Sequence, residues 1–247
     1  MRYGSPVGDR KPNYPDDCIQ SIVQDWWLQD EKPTLCRGRL LWAFLPHVDQ
    51  EPRTLTPIGR TSPTDHHHAQ FRVEPLRIDE TRKAPKLPIA GLPGVEGEVH
   101  TVHRSKVRPA VVVGGIDTPD VDAKLRQGMA KYQTSPTLLV APYYGVEGGA
   151  KRGGFNPEFV ARVRRSEYPQ YIWDLLPIGD EASGSLLRLD HIQPIGKHYN
   201  AYRLSPFRLS NEALDVFDEW LAWLLTGELD PDGVITLIRE ELARILP

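Results

Sequence analysis

Arg188 and Asp190 stand two residues apart in Ser185–Ile192, a stretch whose composition reads as a β-strand. Side chains two apart on a strand share a face, so this spacing would set a guanidinium and a carboxylate over one site. Such a pair can bind an anion and exchange protons with it, or it can be an ordinary surface ion pair. Arg108 opens the apolar run Arg108–Val113. Its fork suits two phosphate oxygens, and capping a sheet edge or pairing with an acid is the plainer use. His191 adjoins Asp190 but points the other way on a strand, which assigns it a structural role. For Asp190 to serve as a base it would have to be buried enough to raise its pKa.

Other groups add cationic and aromatic character. Gly145–Gly154 is rich in glycine and carries Lys151 and Arg152. It lacks the spacing of a nucleotide-binding loop, which leaves a backbone-gripping loop or a mobile hairpin tip. Arg162, Arg164 and Arg165 lie near Tyr168 and Tyr171, the combination that single strands bind to. Asp65-His66-His67-His68 invites a metal reading, but adjacent side chains diverge and no second cluster has ligand spacing, so no metal site is expected.

These groups need a frame. Leu40–Leu45, Arg108–Val113 before Gly114-Gly115, Thr137–Ala141, Tyr171–Leu176 and Ser185–Ile192 read as strands. Ala69–Ile78 is the best further strand in a proline-rich stretch, and Ile19–Leu28 and Asp120–Tyr132 read as short helices. Asn211–Leu225 has Leu214, Phe217, Leu221 and Leu224 at helical spacing, Ser210 as cap and Gly227 as stop. A last helix with Ile235, Ile238, Leu242 and Ile245 on one stripe follows Asp230-Pro231. Strands first and helices last favour a mainly β fold with packed helices.

The chain has 247 residues, 40% of them hydrophobic and 26% charged, enough for a buried core. Two cysteines outside any CxxC pattern argue against a disulfide scaffold and fit a reducing, cytoplasmic setting. No apolar run is long enough for a membrane span and no secretory signal is visible, so no membrane association is expected. The net charge of −3 conceals a gradient: residues 101–171 carry 11 basic against 6 acidic side chains, and residues 172–247 carry 6 against 13. The basic middle is read either as scattered solvated charge or as a face for an anion.

Four pieces taken in order, Arg37–Trp42, Lys106–Val113, Leu138–Pro142 and Leu187–Ile195, with the helix Asn211–Leu225 after them, resemble the MazF/PemK toxins. The resemblance covers roughly residues 37–46 and 97–226. It implies an SH3-like β-barrel with C-terminal helices: an N-terminal extension at 1–36, a barrel domain at 37–226 with a long proline-rich insertion at about 46–96, and a C-terminal helix at 227–247. It implies a homodimer that cuts single-stranded RNA without metal or other cofactor, by attack of the ribose 2′-OH on the adjacent phosphate. The protein would be the toxin of a toxin–antitoxin or defence system, with an antitoxin or other protein partner.

Carried over by residue, Arg108 would face the scissile phosphate, Arg188 and Asp190 would supply acid and base, and His103 is a looser match for a family histidine. Lys106, Tyr143, Tyr144, Lys151 and Arg152 would contact the substrate. One branch of the family has Thr or Ser where this chain has Pro142-Tyr143-Tyr144; a tyrosine can stack on a base but is a different group. The same fold carries gyrase poisons, so a non-catalytic nucleic-acid-binding module and a protein-targeting toxin stay open. Either Arg37–Leu45 or residues 97–103 would form the first barrel strand.

Overall fold

The computed structural model describes residues 12–23, 25–65, 67–77, 95–115, 128, 137–148, 153–178, 183–198 and 200–245. In chain order the first elements are α1 (Ile19–Ile22), β1 (Trp27–Gln29), β2 (Arg39–Pro46), β3 (Arg53–Gly59), β4 (Gln70–Pro75), β5 (Thr101–Val102), β6 (Ser105–Gly114) and β7 (Thr137–Gly145). They are followed by α2 (Pro157–Arg164), β8 (Tyr171–Leu175), β9 (Gly184–Arg188), a 3-10 turn (Leu189–His191), β10 (Gln193–Gly196), β11 (Tyr202–Leu209), α3 (Asn211–Thr226) and α4 (Val234–Ile245). The fold is mainly β, and the chain divides into two compact units, Met1–Phe44 with Val107–Pro247, and Leu45–Lys106.

The first unit is built on an eight-stranded antiparallel sheet, strongly curled into a half-barrel, in the order β1-β11-β2-β6-β7-β9-β8, with β10 off this path beside β7. Strand β7 organises it. Along one edge runs β6, with Ala110 opposite Pro142 and Val112 opposite Val140. Along the other edge β9 takes the second half of β7, with Tyr143 opposite Leu187, and β10 takes the first, with Ile195 opposite Leu138. Val111, Val112, Leu138 and Val140 are fully buried, which explains their continuous apolar run. Gly115 ends β6 at φ +79°, where a Cβ would come within 2.6 Å of the Thr137 carbonyl oxygen, so only glycine fits.

Helix α3 closes the core. The Ser210 hydroxyl accepts from the Ala213 N–H at 3.1 Å, and Gly227 at φ 78° ends the helix. A cap of this kind contributes about 1 kcal/mol. Ala213, Val216, Phe217 and Trp220 are buried against Val111, Ala141, Leu187 and Leu209, together with Ile235, Ile238 and Leu242 of α4. The start of α4 is held by α3: both carboxylate oxygens of Glu219 accept from the Val234 and Ile235 N–H groups, at 2.9 and 3.0 Å. The expected Asp230-Pro231 start is therefore a turn that precedes the helix.

Three local expectations change. The helix expected over Ile19–Leu28 stops at Ile22; Asp25 has φ 52°, and Trp27 pairs with Leu209, so the edge of the sheet outweighs the local helical pattern. The strand expected over Ser185–Ile192 ends at Arg188 and continues as a 3-10 turn, because the chain must step from β9 to β10 along β7. Of the two candidate first strands, residues 39–46 lie in the main sheet between β11 and β6, whereas β5 pairs with β3. The helix expected over Asp120–Tyr132 lies outside the described residues, Gly128 apart.

The second unit holds a three-stranded sheet in the order β4-β3-β5, with Arg53 opposite both Pro75 and Val102. Leu45 and Thr54 are the buried residues among those described there. Strand β4 lies within the expected Ala69–Ile78, and β3 was not foreseen because Pro57 interrupts its pattern.

Candidate functional site

Four neighbouring strands place a row of cations and rings on one face. Extending the β6/β7 register by two residues from Ala110 and Pro142 sets Arg108 opposite Tyr144, and the Arg108 guanidinium carbon lies 3.9 Å from the Tyr144 ring centroid. Tyr144 is opposite Leu186 on β9, and Arg188, two residues on, points the same way, 5.6 Å from that ring. Arg188 in turn pairs with Tyr171 on β8 and lies 5.0 Å from its ring. Each contact at such spacing contributes about 0.5–1 kcal/mol or more, which orders these long side chains.

Asp190 and His191 join through the 3-10 turn. Arg188 donates from Nε to Asp190 Oδ1 at 2.7 Å and from Nη2 to Oδ2 at 2.5 Å, a bidentate pair. In a 3-10 turn residues three apart eclipse one another, so Arg188 and His191 meet, with Nη2 and Nε2 2.7 Å apart. This corrects the assignment of His191 to the opposite face, which assumed that the strand continued. The other ring nitrogen, Nδ1, is 3.0 Å from the Tyr144 hydroxyl, and the two rings meet edge-on at 84°.

The donor-only guanidinium of Arg188 assigns the proton positions. A guanidinium can only donate, so His191 Nε2 accepts from Arg188 and carries no proton. His191 is then the neutral tautomer with its hydrogen on Nδ1, and that N–H donates to the Tyr144 oxygen. Burial alone would lower the Arg188 pKa; the hydrogen bond and charge of Asp190, with Tyr171 and Tyr144 beside it, hold it above the ordinary value. Among the groups named here two guanidiniums stand beside one carboxylate. Arg108 is 9% exposed and His191 6%, whereas the Arg188 and Asp190 side chains keep 18% and 28% of their surface, so the pair is reachable from solvent.

The remaining predicted residues are placed otherwise. Tyr143, next to Tyr144, points into the core at 2% exposure, so it offers no ring to a substrate base. His103 and Lys106 are exposed residues of the second unit. Lys151 and Arg152 lie outside the described residues. Arg162 and Arg165 share the carboxylate of Glu167, at 2.6 and 3.1 Å, and Arg164 pairs with Asp17. His66 is also outside the described residues; the Asp65 carboxylate accepts from the His67 and His68 N–H groups and binds the His68 ring. Among the described residues no group of three or more His, Cys, Asp or Glu is arranged to hold a metal ion, and no helix is long and apolar enough to cross a membrane. A cleft of about 760 Å³ contains none of the predicted catalytic or substrate-contacting residues; it is lined by Arg165 and Arg239 with Glu167 and Glu240, two charges of each sign.

A second carboxylate escaped the sequence reading. Asp174 on β8 is fully buried and accepts from the Tyr14 hydroxyl at 2.8 Å, the Tyr143 hydroxyl at 2.9 Å and the Trp27 indole N–H at 3.2 Å. Burial pushes its pKa up to about 6, against the hydrogen bonds, which lower it. The available signal was one acidic residue inside Tyr171–Leu176, an otherwise apolar strand. No family model matches the chain, and neither a curated protein nor a solved structure matches it.

Proposed function

We propose that the protein is a metal-independent endoribonuclease that cuts single-stranded RNA by 2′-OH attack, on an SH3-like barrel of the MazF/PemK type. It would act as the toxin of a toxin–antitoxin or defence system. The observation that carries this reading is the row Arg108–Tyr144–Arg188 on three neighbouring strands, with Asp190 closing on Arg188. In this reading Arg108 and Arg188 bind the phosphate and offset the charge of the phosphorane. Asp190 takes the 2′-hydroxyl hydrogen; each of its oxygens has a second lone pair beside the one given to Arg188. The homodimer belongs to the same proposal and rests on the resemblance; Phe217 of the apolar stripe of α3 is buried in the protomer's own core. A monomeric mass in light scattering at micromolar concentration would remove the dimer.

A second reading has a specific observation behind it. Both Asp190 oxygens are engaged by Arg188, as they would be in a module that binds RNA without cutting it. One experiment separates the two: a long single-stranded RNA incubated in EDTA with the wild type and with Asp190→Asn. The nuclease gives fragments ending in 2′,3′-cyclic phosphate, and the variant is slower by roughly 100-fold or more. Retarded but intact RNA in a gel shift supports the binding module. With neither cleavage nor binding, a protein target replaces both.

A further inference from the structure

Asp190, Arg188, His191 and Tyr144 form a chain of contacts, and the donor-only guanidinium assigns a direction to each. Asp190 accepts from Arg188, Arg188 donates to His191 Nε2, and His191 Nδ1–H donates to the Tyr144 oxygen. The Tyr144 hydroxyl hydrogen is therefore given elsewhere than to His191. The incoming N–H stabilises negative charge on the phenolic oxygen, and Arg108, stacked 3.9 Å from the ring centroid, does the same from the face. A hydroxyl arranged to tolerate loss of its proton, beside two guanidiniums, has the attributes of a proton donor to an anionic leaving group.

From this geometry we infer that Tyr144 is the general acid of the site, a deepening that rests on the endoribonuclease reading. The step balances as follows. The 2′-oxygen bonds to phosphorus as its hydrogen passes to Asp190, and the phosphorus–5′-oxygen bond breaks. The 5′-oxygen takes the Tyr144 hydroxyl hydrogen, which leaves a 2′,3′-cyclic phosphate, a free 5′-hydroxyl and a phenolate held by His191 and Arg108. The phenolate regains a proton from water and Asp190 gives its hydrogen up to water, which restores both groups and closes the proton count. His191 is a positioning residue: it fixes the direction of the chain and does not itself meet the substrate. His103, an exposed residue of the second unit, is not required as the acid.

The test pairs Tyr144→Phe with two RNA substrates, one ordinary and one with sulfur in place of the bridging 5′-oxygen at the cleaved bond. A thiolate leaves without being protonated. Tyr144→Phe keeps the ring under Arg108 and is expected to lower kcat roughly 100-fold or more on the ordinary RNA with KM little changed, while cutting the sulfur substrate within a few-fold of wild type. Equal losses on both substrates, or no loss on either, would overturn the assignment. The nitrogen chemical shifts of His191 in the full-length protein test the chain without any turnover. A neutral ring protonated on Nδ1 is expected, and a proton on Nε2 breaks the chain. If the wild type cuts neither substrate, the nuclease reading itself fails and this inference falls with it, while the His191 tautomer still decides the direction of the bonds.

Discussion

Tyr143 and Tyr144 are consecutive residues of β7, and each hydroxyl belongs to a cluster containing an aspartate. On one face Tyr143 donates to Asp174, which is fully buried and whose described hydrogen-bond donors are neutral. On the other, Tyr144 is linked through His191 to Arg188 and Asp190, a charged pair that keeps part of its surface. The alternation of side chains on a strand makes this separation, because a step of one residue changes the face. The consequence is chemical. Asp174, without a cation beside it in the core, is held by neutral donors and costs stability when it ionises; Asp190 is paired with a guanidinium that keeps part of its surface, which leaves that pair in reach of a ligand.

The largest effect is expected on the charged side. Arg108→Ala removes the cation stacked on Tyr144 and should lower kcat/KM for RNA cleavage by roughly 100- to 1000-fold. Arg108→Lys keeps the charge but loses the planar fork, and should recover only part of that loss. Steady-state kinetics beside a thermal unfolding scan would check both. Cleavage at wild-type rates by the folded Ala variant would dissolve the distinction between the two faces.

The strands that carry both clusters were legible in the sequence because their chemistry is local. The run Val111–Val113 stopped by glycines, Leu138–Ala141, and the capped helix at Asn211 each combine period, propensity and punctuation. What was not legible depends on contacts distant in sequence. Strand β11 pairs with β1 and β2 across more than 150 positions, and Pro206 masks its pattern. His191 was assigned to the wrong face because a strand was assumed to continue where a 3-10 turn intervenes. Asp174 looked like one more charge among many, since the three donors that hold it come from residues 14, 27 and 143. In the candidate site the spacing of Arg188 and Asp190 was visible, and their meeting with Arg108 and Tyr144 follows from the β6-β7-β9 strand order.

The buried side predicts a pH dependence. The Asp174 pKa in the folded protein is raised to about 6, against about 3.9 in an unfolded chain. The folded state therefore favours the protonated carboxyl. This contribution is fully present below about pH 4 and is lost as pH rises through 6, on the order of 3 kcal/mol in all. Asp30 and Asp65, whose pKa values are lowered, act in the opposite direction as pH falls. The informative quantity is thus the difference between wild type and Asp174→Asn in urea unfolding at pH 4 and pH 7. The variant should lose the Asp174 component while cutting RNA normally at pH 7. An unchanged pH profile would mean that Asp174 is ionised throughout and that the two carboxylates differ less than their surroundings suggest.

The finest division lies within the buried cluster. Tyr143 is 2% exposed and gives its hydroxyl hydrogen to Asp174 Oδ2 at 2.9 Å, whereas the part-buried Tyr14 hydroxyl lies between Asp174 Oδ1 at 2.8 Å and the Leu175 carbonyl oxygen at 3.2 Å. When phenylalanine replaces Tyr143 no water can enter to take over the bond, and the loss should be about 2 kcal/mol at pH 7. At position 14 water can take the place of the hydroxyl, and the loss should be about 1 kcal/mol. Each substitution also removes a donor that lowers the Asp174 pKa, the Tyr14 hydroxyl more than that of Tyr143; water that takes the place of the Tyr14 hydroxyl restores its share, so each should move the pH-dependent window upward, Tyr143→Phe further than Tyr14→Phe. Neither should change the rate of RNA cleavage, which on the opposite face depends on Tyr144. Equal shifts from the two variants would show that the hydroxyls share Asp174 evenly, and that burial of the donor does not set its weight.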